Sequence, residues 1–165
     1  MNISAKFRAF SKASRRQAIA VTGLLLLPLF CSAQQNKLAV SPVQPITVKR
    51  GATVAESLKV VVLSGFHVNS DKPRDEFLIP LKLTWTSGPL EVKSIRYPKP
   101  EDVKVGNQTL AVFTGTFEIQ TEFAAPPQAT PGSSTMAGKI RYQACNNIMC
   151  FRPATVDVRL PLSIE

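Results

Sequence analysis

Hydrophobic and polar residues alternate most regularly near the end of the chain, on both sides of a short polar segment. The residues before this segment divide into an apolar face of Met136, Ile140, Tyr142 and Ala144 and a polar face of Lys139, Arg141 and Gln143. The residues after Pro153 divide in the same way, into Val156, Val158, Leu160 and Leu162 against Asp157 and Arg159. A period of two on both sides of a turn predicts a β-hairpin, here with one cysteine at each base of its loop.

Shorter stretches of the same kind predict further strands. The predicted strands lie within 46–56, which we interpret as an edge strand and a turn, and at 57–64, 77–85, 90–97 and 110–123. The clearest of them is 77–85, where Phe77, Ile79, Leu81, Leu83 and Trp85 alternate with other residues. The segments 71–76 and 124–135 are predicted loops. Because no segment shows a sustained helical stripe and the chain holds 13 prolines, we predict an all-β protein, an antiparallel β-sandwich.

The first 33 residues have the composition of a secretory signal peptide. Residues 1–17 carry five basic residues and no acid, residues 18–30 are apolar, and Cys31-Ser32-Ala33 offers the small residues that a signal peptidase reads. The apolar run is shorter than the roughly 20 residues of a membrane-spanning helix, which argues against an uncleaved anchor. We therefore expect cleavage after Ala33, a domain at residues 34–165, and export to the periplasm or an equivalent compartment as a soluble protein.

Removal of this segment also changes the charge. The whole chain has a formal charge of +9, but residues 34–165 hold 15 basic and 11 acidic residues, a formal charge of +4. The basic residues are scattered among acidic ones and form no cluster. This distribution argues against nucleic acid as a partner.

Two cysteines, Cys145 and Cys150, would remain in the exported protein. An even number of cysteines in an exported chain predicts a disulfide. Closing a loop of six residues contributes only about 2 kcal/mol in the chain-entropy model, and a domain of this size can bury a core without it. The spacing alone therefore leaves two hypotheses open, a structural clip and a redox-active pair. Two sulfurs and one histidine are too few ligands for a metal site, so we predict no metal.

Several segments together resemble a known family, the N-terminal periplasmic domain of the thiol:disulfide interchange protein DsbD. They are Gly65–Asn69, Pro80–Trp85, Tyr97–Glu101, Val112–Gly115, and Tyr142–Cys145 with Cys150–Pro153. The resemblance extends from about residue 40 to residue 165. It implies an immunoglobulin-like fold and a redox-active cysteine pair that takes electrons from a thioredoxin-like domain. It also implies periplasmic thiol oxidoreductases as acceptors, a link to cytochrome c biogenesis, and no cofactor.

The resemblance also implies roles for individual residues. Cys145 and Cys150 would be the exchanging pair, with Cys150 attacked first by analogy with the family. Phe113 matches the aromatic residue that caps the disulfide, and Gly115 would let this cap bend away. The loop between the cysteines is one residue shorter than in the well-studied enteric form. Since the sequence contains neither a membrane electron conduit nor a thioredoxin-like domain, we expect a thioredoxin-like domain or a membrane thiol reductase to act in trans on a monomer.

Other residues are expected to surround the pair. Phe66 and Tyr142 are interpreted as core or rim packing, and Phe151 and Pro153 follow the second cysteine directly. His67, the only histidine, is either a surface or hydrogen-bonded loop residue or a base that tunes a thiol. The sequence thus predicts an exported thiol-disulfide exchange domain. The alternative is a non-enzymatic immunoglobulin-like interaction module whose hairpin disulfide is purely structural.

Overall fold

The computed structural model describes residues 36–165, and these residues fold into twelve β-strands. The strands are β1 (Leu38–Val40), β2 (Ile46–Val48), β3 (Thr53–Val62), β4 (His67–Asn69), β5 (Lys82–Trp85), β6 (Glu91–Arg96), β7 (Glu101–Val105), β8 (Gln108–Phe113), β9 (Thr116–Ala124), β10 (Gly132–Tyr142), β11 (Ala144–Cys145) and β12 (Ala154–Ile164). Within 36–165 there is no helix, and hence none that is long and apolar enough to cross a membrane. The predicted signal peptide lies outside the described residues.

The strands form three four-stranded sheets. Sheet A has the order β1-β3-β9-β6, sheet B the order β2-β12-β10-β5, and sheet C the order β11-β4-β8-β7. All neighbouring strands are antiparallel except β2 and β12, which are parallel. The all-β, immunoglobulin-like fold predicted from the sequence is confirmed.

The long hairpin near the end of the chain is formed by β10 and β12. Met136 lies opposite Leu160 and Ile140 opposite Val156, so the two apolar faces predicted from the sequence coincide. Met136, Ile140 and Leu160 are almost completely buried. The predicted faces of both strands are therefore confirmed.

Trp85 on sheet B packs against sheet A. Its ring meets that of Phe123 edge to face, with 5.1 Å between the centroids, and its Nε1 donates a hydrogen bond of 3.1 Å to Thr121 Oγ1. On its own sheet the ring covers Gly138, where an added Cβ would lie 2.7 Å from the ring carbon Cε3. The absence of a side chain at position 138 thus allows the largest core side chain to lie flat on its neighbouring strand.

The strand predicted at 77–85 begins five residues later than expected, at Lys82. Phe77 was predicted as the first residue of this strand, but it is 84% exposed, and its backbone N–H donates to Asp75 Oδ1 in a turn. Pro80 has no backbone N–H to give to a sheet, which favours a strand start beyond it. The alternation is therefore correct for Leu81, Leu83 and Trp85 but wrong for Phe77.

Of the strands of sheet C, β4 and β7 were not predicted, and the single strand predicted at 110–123 is two strands, β8 in sheet C and β9 in sheet A. The hairpin strand, expected to continue through Ala144, ends in sheet B at Tyr142, and after Gln143 the chain joins sheet C as β11. A second change of sheet follows β8, where Gly115, with a φ of 52°, turns the chain from sheet C into sheet A. The first of these changes of sheet places the cysteine segment next to β4.

Candidate functional site

Cys145 and Cys150 form a disulfide at the tip of the hairpin, with their Cα atoms 4.0 Å apart. The four residues between them form a turn held by Asn146. Its Oδ1 accepts hydrogen bonds from the backbone N–H groups of Ile148 and Met149, and its own N–H donates to the Met149 carbonyl. A side chain that bonds to the backbone two and three residues ahead stabilises such a turn locally. The predicted pairing of the two cysteines is confirmed.

The two faces of sheet C have different surroundings. Cys145 lies opposite His67 on β4, whereas Ala144 lies opposite Val68, which in turn lies opposite Phe113 on β8. Residues that lie opposite each other across a sheet share a face, and successive residues alternate between faces. Ala144, Val68 and Phe113 face the core, so Cys145 and His67 lie on the other, outer face.

Phe113 was expected to cap the disulfide, but the structure places it in the core. Its side chain is 3% exposed, and its ring stacks on that of Phe117 with centroids 4.7 Å apart. The alternation along β8 is the physical reason, because it points Phe113 away from the face that carries Cys145. The glycine that was expected to release this cap, Gly115, instead forms the turn into β9.

The two cysteines differ strongly in their contact with solvent. Cys145 is 2% exposed, whereas Cys150 is exposed, as are its neighbours Ile148 and Met149. A partner that approaches the tip of the hairpin therefore meets Cys150 before Cys145. Because disulfide exchange requires access to the attacked sulfur, the arrangement favours attack at Cys150.

A shallow cavity of about 220 Å³ adjoins the disulfide on the outer face of sheet C. It is lined by both cysteines, by the turn residues Asn146, Ile148 and Met149, and by His67, Leu78, Val105, Gln108 and Leu110. Most of these side chains are apolar, and none of them is an acid, a lysine or an arginine. The disulfide is thus bordered by apolar surface rather than by fixed charge.

His67 is a buried polar residue that lies opposite Cys145 in sheet C. Its side chain is 6% exposed, and its Nε2 is buried without a hydrogen-bond partner among the described residues. Burial disfavours the charged imidazolium and lowers the pKa of His67 below its ordinary value. The imidazole is therefore neutral at neutral pH while the disulfide is closed. His67 is thus neither a surface residue nor a hydrogen-bonded loop residue, and its role as a base that tunes a thiol stays a prediction.

The remaining predicted residues meet around Lys37, except Pro153, which is exposed. The rings of Phe66 and Phe151 lie edge to face at 5.6 Å, and the Lys37 ammonium lies 5.0 Å and 5.7 Å from their centroids. Tyr142 is buried, and its hydroxyl accepts a hydrogen bond of 3.1 Å from the Lys37 N–H. Burial raises the pKa of Tyr142, which keeps the phenol protonated. Phe66, Phe151 and Tyr142 therefore support the base of the hairpin tip.

Gln143, which the sequence placed with the polar residues of an exposed face, holds this region together. Its Oε1 accepts hydrogen bonds of 3.4 Å from Asn69 Nδ2 and from the Ile79 N–H, and its Nε2 donates to the Phe151 carbonyl at 3.1 Å. It thus joins the strand before the first cysteine to the residue after the second. The sequence signal was its place in the Tyr142–Cys145 run, since the strand pattern alone made it an ordinary polar position.

A comparison with protein-family models gives one decisive result. Residues 34–162 match the family described as thiol:disulfide interchange protein DsbD, N-terminal. The chain belongs to this family. The DsbD N-terminal family and the Cys145–Cys150 disulfide together support thiol-disulfide exchange with thiol redox partners as the general chemistry of the chain. A search of curated proteins gave no match.

The solved structures similar to this chain include two N-terminal domains and a PapD-like domain. The N-terminal periplasmic domain of ScsB from Proteus mirabilis is 15% identical, with a TM-score of 0.48, and the match covers 76% of this chain and 44% of that one. This chain thus matches less than half the length of the ScsB structure. The reduced DsbD N-terminal domain of Neisseria meningitidis is 14% identical, with a TM-score of 0.41 and coverages of 67% and 79%. A PapD-like domain of human CEP192 is 10% identical, with a TM-score of 0.42 and coverages of 92% and 98%.

Proposed function

We propose that the chain is a periplasmic thiol-disulfide exchange domain that relays reducing equivalents from a thioredoxin-like donor to periplasmic thiol oxidoreductases. The observation that carries this proposal is the asymmetry of the disulfide, which joins an exposed Cys150 to a buried Cys145. An exposed cysteine is accessible to a partner thiol, and a buried one beside it is protected from other thiols. The export signal predicted at residues 1–33 and the family relationship support the periplasmic location.

In the first half of the relay the domain is reduced. A thiolate of the donor attacks Cys150 Sγ, the Cys145–Cys150 bond breaks, and Cys145 Sγ leaves with the bonding electron pair. The second thiol of the donor then attacks the mixed disulfide. Cys150 is released, the donor becomes a disulfide, and the domain has gained two electrons and two protons.

The second half passes these electrons on. The Cys150 thiolate attacks the disulfide of an acceptor, and a new mixed disulfide forms at Cys150 while one acceptor thiol leaves. Cys145 Sγ then attacks Cys150 Sγ, the internal disulfide closes, and the second acceptor thiol is released. Cys150 is thus the residue that contacts each partner, and Cys145 is the residue that ends each contact.

The surface around Cys150 supports such contacts. Ile148 is 91% exposed and Met149 is 55% exposed, and both stand in the turn between the cysteines. Exposed apolar side chains beside Cys150 offer a partner area to bury around the exchanging sulfur. The flexible thioether of a methionine also adapts to more than one partner, which suits a domain that contacts both a donor and an acceptor.

A trapping experiment tests the proposal. In the full chain with Cys31→Ser, the partner would be a thioredoxin-like domain that keeps only its attacking cysteine, activated as a disulfide with thionitrobenzoate. The Cys150 thiolate of the variant Cys145→Ser should attack this cysteine, release thionitrobenzoate and accumulate as a stable mixed disulfide. The matched variant Cys150→Ser should form little, because its remaining thiol is buried. Equal trapping by both variants, or by neither, contradicts this proposal.

The reduction potential separates exchange from the structural alternative. An exchanging disulfide should be more readily reduced than the structural disulfides of exported proteins, which lie below about −300 mV. Equilibration of the oxidised chain with thiol-disulfide buffers of known potential measures this quantity. A potential below about −300 mV would favour an interaction module with a purely structural clip.

A further inference from the structure

His67 and Cys145 form an isolated pair on the outer face of sheet C. They lie directly opposite each other on β4 and β11, and side chains in such positions are about 5 Å apart at Cβ. Both are almost fully buried, and both line the cavity beside the disulfide. His67 is thus the one titratable side chain, apart from the cysteines, among the described residues that line this cavity.

The unpartnered nitrogen of His67 is unusual for a buried polar group. A buried polar group without a hydrogen bond is destabilising, so such groups are few in native proteins. A closed disulfide offers no proton and no charge to satisfy it. Reduction changes this, because Cys145 then carries either a thiol proton or a negative charge in the same buried space.

We propose that His67 is the proton partner of Cys145, holding at Nε2 the proton that compensates the Cys145 thiolate whenever the disulfide is open. This inference rests on the proposed exchange function, which opens and closes the disulfide in every cycle. His67 is the only histidine of the chain, and the pairing of β4 with β11 places it opposite Cys145, where it can share a proton with that cysteine.

The proton balance follows the electron balance. When a donor thiolate attacks Cys150, Cys145 Sγ leaves with the electron pair, and the neutral imidazole takes up one proton from water. The thiolate and the imidazolium then form a pair without net charge, which lowers the cost of leaving a thiolate in a buried site. When Cys145 Sγ attacks Cys150 Sγ, the departing thiolate of the partner carries the negative charge away. His67 then returns its proton to water or to that thiolate.

The charged groups nearby do not compete for this role. Glu101, on the same face of sheet C, accepts a hydrogen bond of 2.9 Å from Thr114 Oγ1. The Lys37 ammonium lies over the rings of Phe66 and Phe151. Neither Glu101 nor Lys37 lines the cavity that His67 and Cys145 share. In the closed state, burial alone lowers the pKa of His67.

A titration of the wild-type full chain tests the inference without a substitution. Because there is one histidine, its ring signals in an NMR spectrum need no further assignment. We expect the midpoint of the His67 titration to rise by about one pH unit or more after reduction with dithiothreitol, since a thiolate nearby favours the imidazolium. The same midpoint in the oxidised and reduced protein would overturn the inference.

A kinetic experiment tests whether His67 affects the rate of the exchange reaction. The rate at which a reduced thioredoxin-like domain reduces the chain would be measured against pH for wild type, for His67→Gln and for the matched control Gln108→Leu. Gln108 lines the same cavity but does not titrate. We expect His67→Gln alone to lose one ionisation from the profile and to react at least about tenfold more slowly near pH 7.

The outcomes separate the two proposals. If the wild-type chain does not exchange with any dithiol domain, the proposed function fails, and the NMR midpoints still decide whether His67 and Cys145 share a proton. If exchange proceeds and the profile of His67→Gln equals that of Gln108→Leu, the role of His67 is wrong and the exchange function stands. A circular dichroism spectrum of each variant verifies that it is folded.

Discussion

The stem of the long hairpin, formed by β10 and β12, and its tip, formed by β11 and the turn through Cys150, are stabilised in different ways. In the stem, β10 and β12 pair over eleven residues on each strand, and from Met136 onward every second residue of β10 is buried, as are Val158, Leu160, Leu162 and Ile164 of β12. In the tip, β11 has two residues and pairs with another short strand, β4. Stability of the stem comes from a long apolar face. The tip instead relies on individual contacts by Asn146, Gln143 and the disulfide.

This difference places the contacts that stabilise the fold in the stem and the cysteine pair in the tip. A change in the contacts of the stem would disrupt the core. The tip can open its disulfide because most of the apolar packing lies elsewhere. An exchange site needs a bond that breaks and re-forms while the protein stays folded, and a tip carried on a stable stem provides this.

The largest expected effect concerns Phe113, whose side chain is part of the core although its strand, β8, belongs to the same sheet as the hairpin tip. Phe113→Ala should lower the free energy of unfolding by about 3–5 kcal/mol, because it removes a buried ring and leaves a cavity beside Phe117. Chemical denaturation monitored by circular dichroism measures this change. The matched control Phe77→Ala removes a ring that is 84% exposed and should change stability by less than about 0.5 kcal/mol. A stable Phe113→Ala variant whose disulfide is reduced faster by glutathione would return Phe113 to the site as a cap.

An intermediate effect is expected from the disulfide itself. The double variant Cys145→Ala with Cys150→Ala should remain folded and lose only about 2 kcal/mol, because the bond closes a loop of six residues. Urea denaturation of the oxidised protein, the reduced protein and the double variant measures this loss. Cooperative unfolding should persist in all three. Its disappearance in the double variant would show that the tip, too, is needed for the fold.

The smallest expected effect is the dependence of stability on pH through His67. Its pKa is lowered in the folded protein, so the unfolded chain binds more protons once the pH falls below about 6.5. The contribution of His67 to stability is therefore fully present above this pH and is lost as the pH falls towards the folded pKa. One group changes stability by at most about 1.4 kcal/mol per pH unit, and water in the adjoining cavity reduces this further. Denaturation curves of the oxidised protein between pH 5 and 7 should show that the free energy of unfolding falls as the pH falls. In the variant His67→Gln this contribution to the pH dependence should be absent.

The stem could be predicted from the sequence because its pattern is long. The alternation from Met136 on β10 and along β12 defines both faces, and Met136 and Leu160 lie opposite each other as the pattern requires. The first residues of β10 do not alternate in burial and were predicted as part of a loop. The same rule failed at Phe77, where a turn with Asp75 and the missing N–H of Pro80 override alternation. Hydrophobic periodicity reports burial well only where a strand is long enough for the pattern to outweigh local contacts.

The site could be predicted only in part. The cysteine pair was visible because its residue type and spacing carry the chemistry. The position of His67 opposite Cys145 depends on pairing between segments that are distant in sequence, which no local pattern contains. Phe113 was misplaced for the same reason, since the face it occupies is determined by its register with Val68. Gln143 was missed because its role lies in three hydrogen bonds to other segments.

The turn held by Asn146 has a consequence for the lifetime of covalent complexes. Its hydrogen bonds to Ile148 and Met149 do not involve either sulfur, so nothing in them requires the disulfide to be closed. The two cysteines therefore stay adjacent after the bond opens, and each encounters the other at a very high effective concentration. Ring closure by Cys145 then outpaces attack by free thiols from solution. In the proposed exchange reaction, each partner would therefore be bound covalently only briefly.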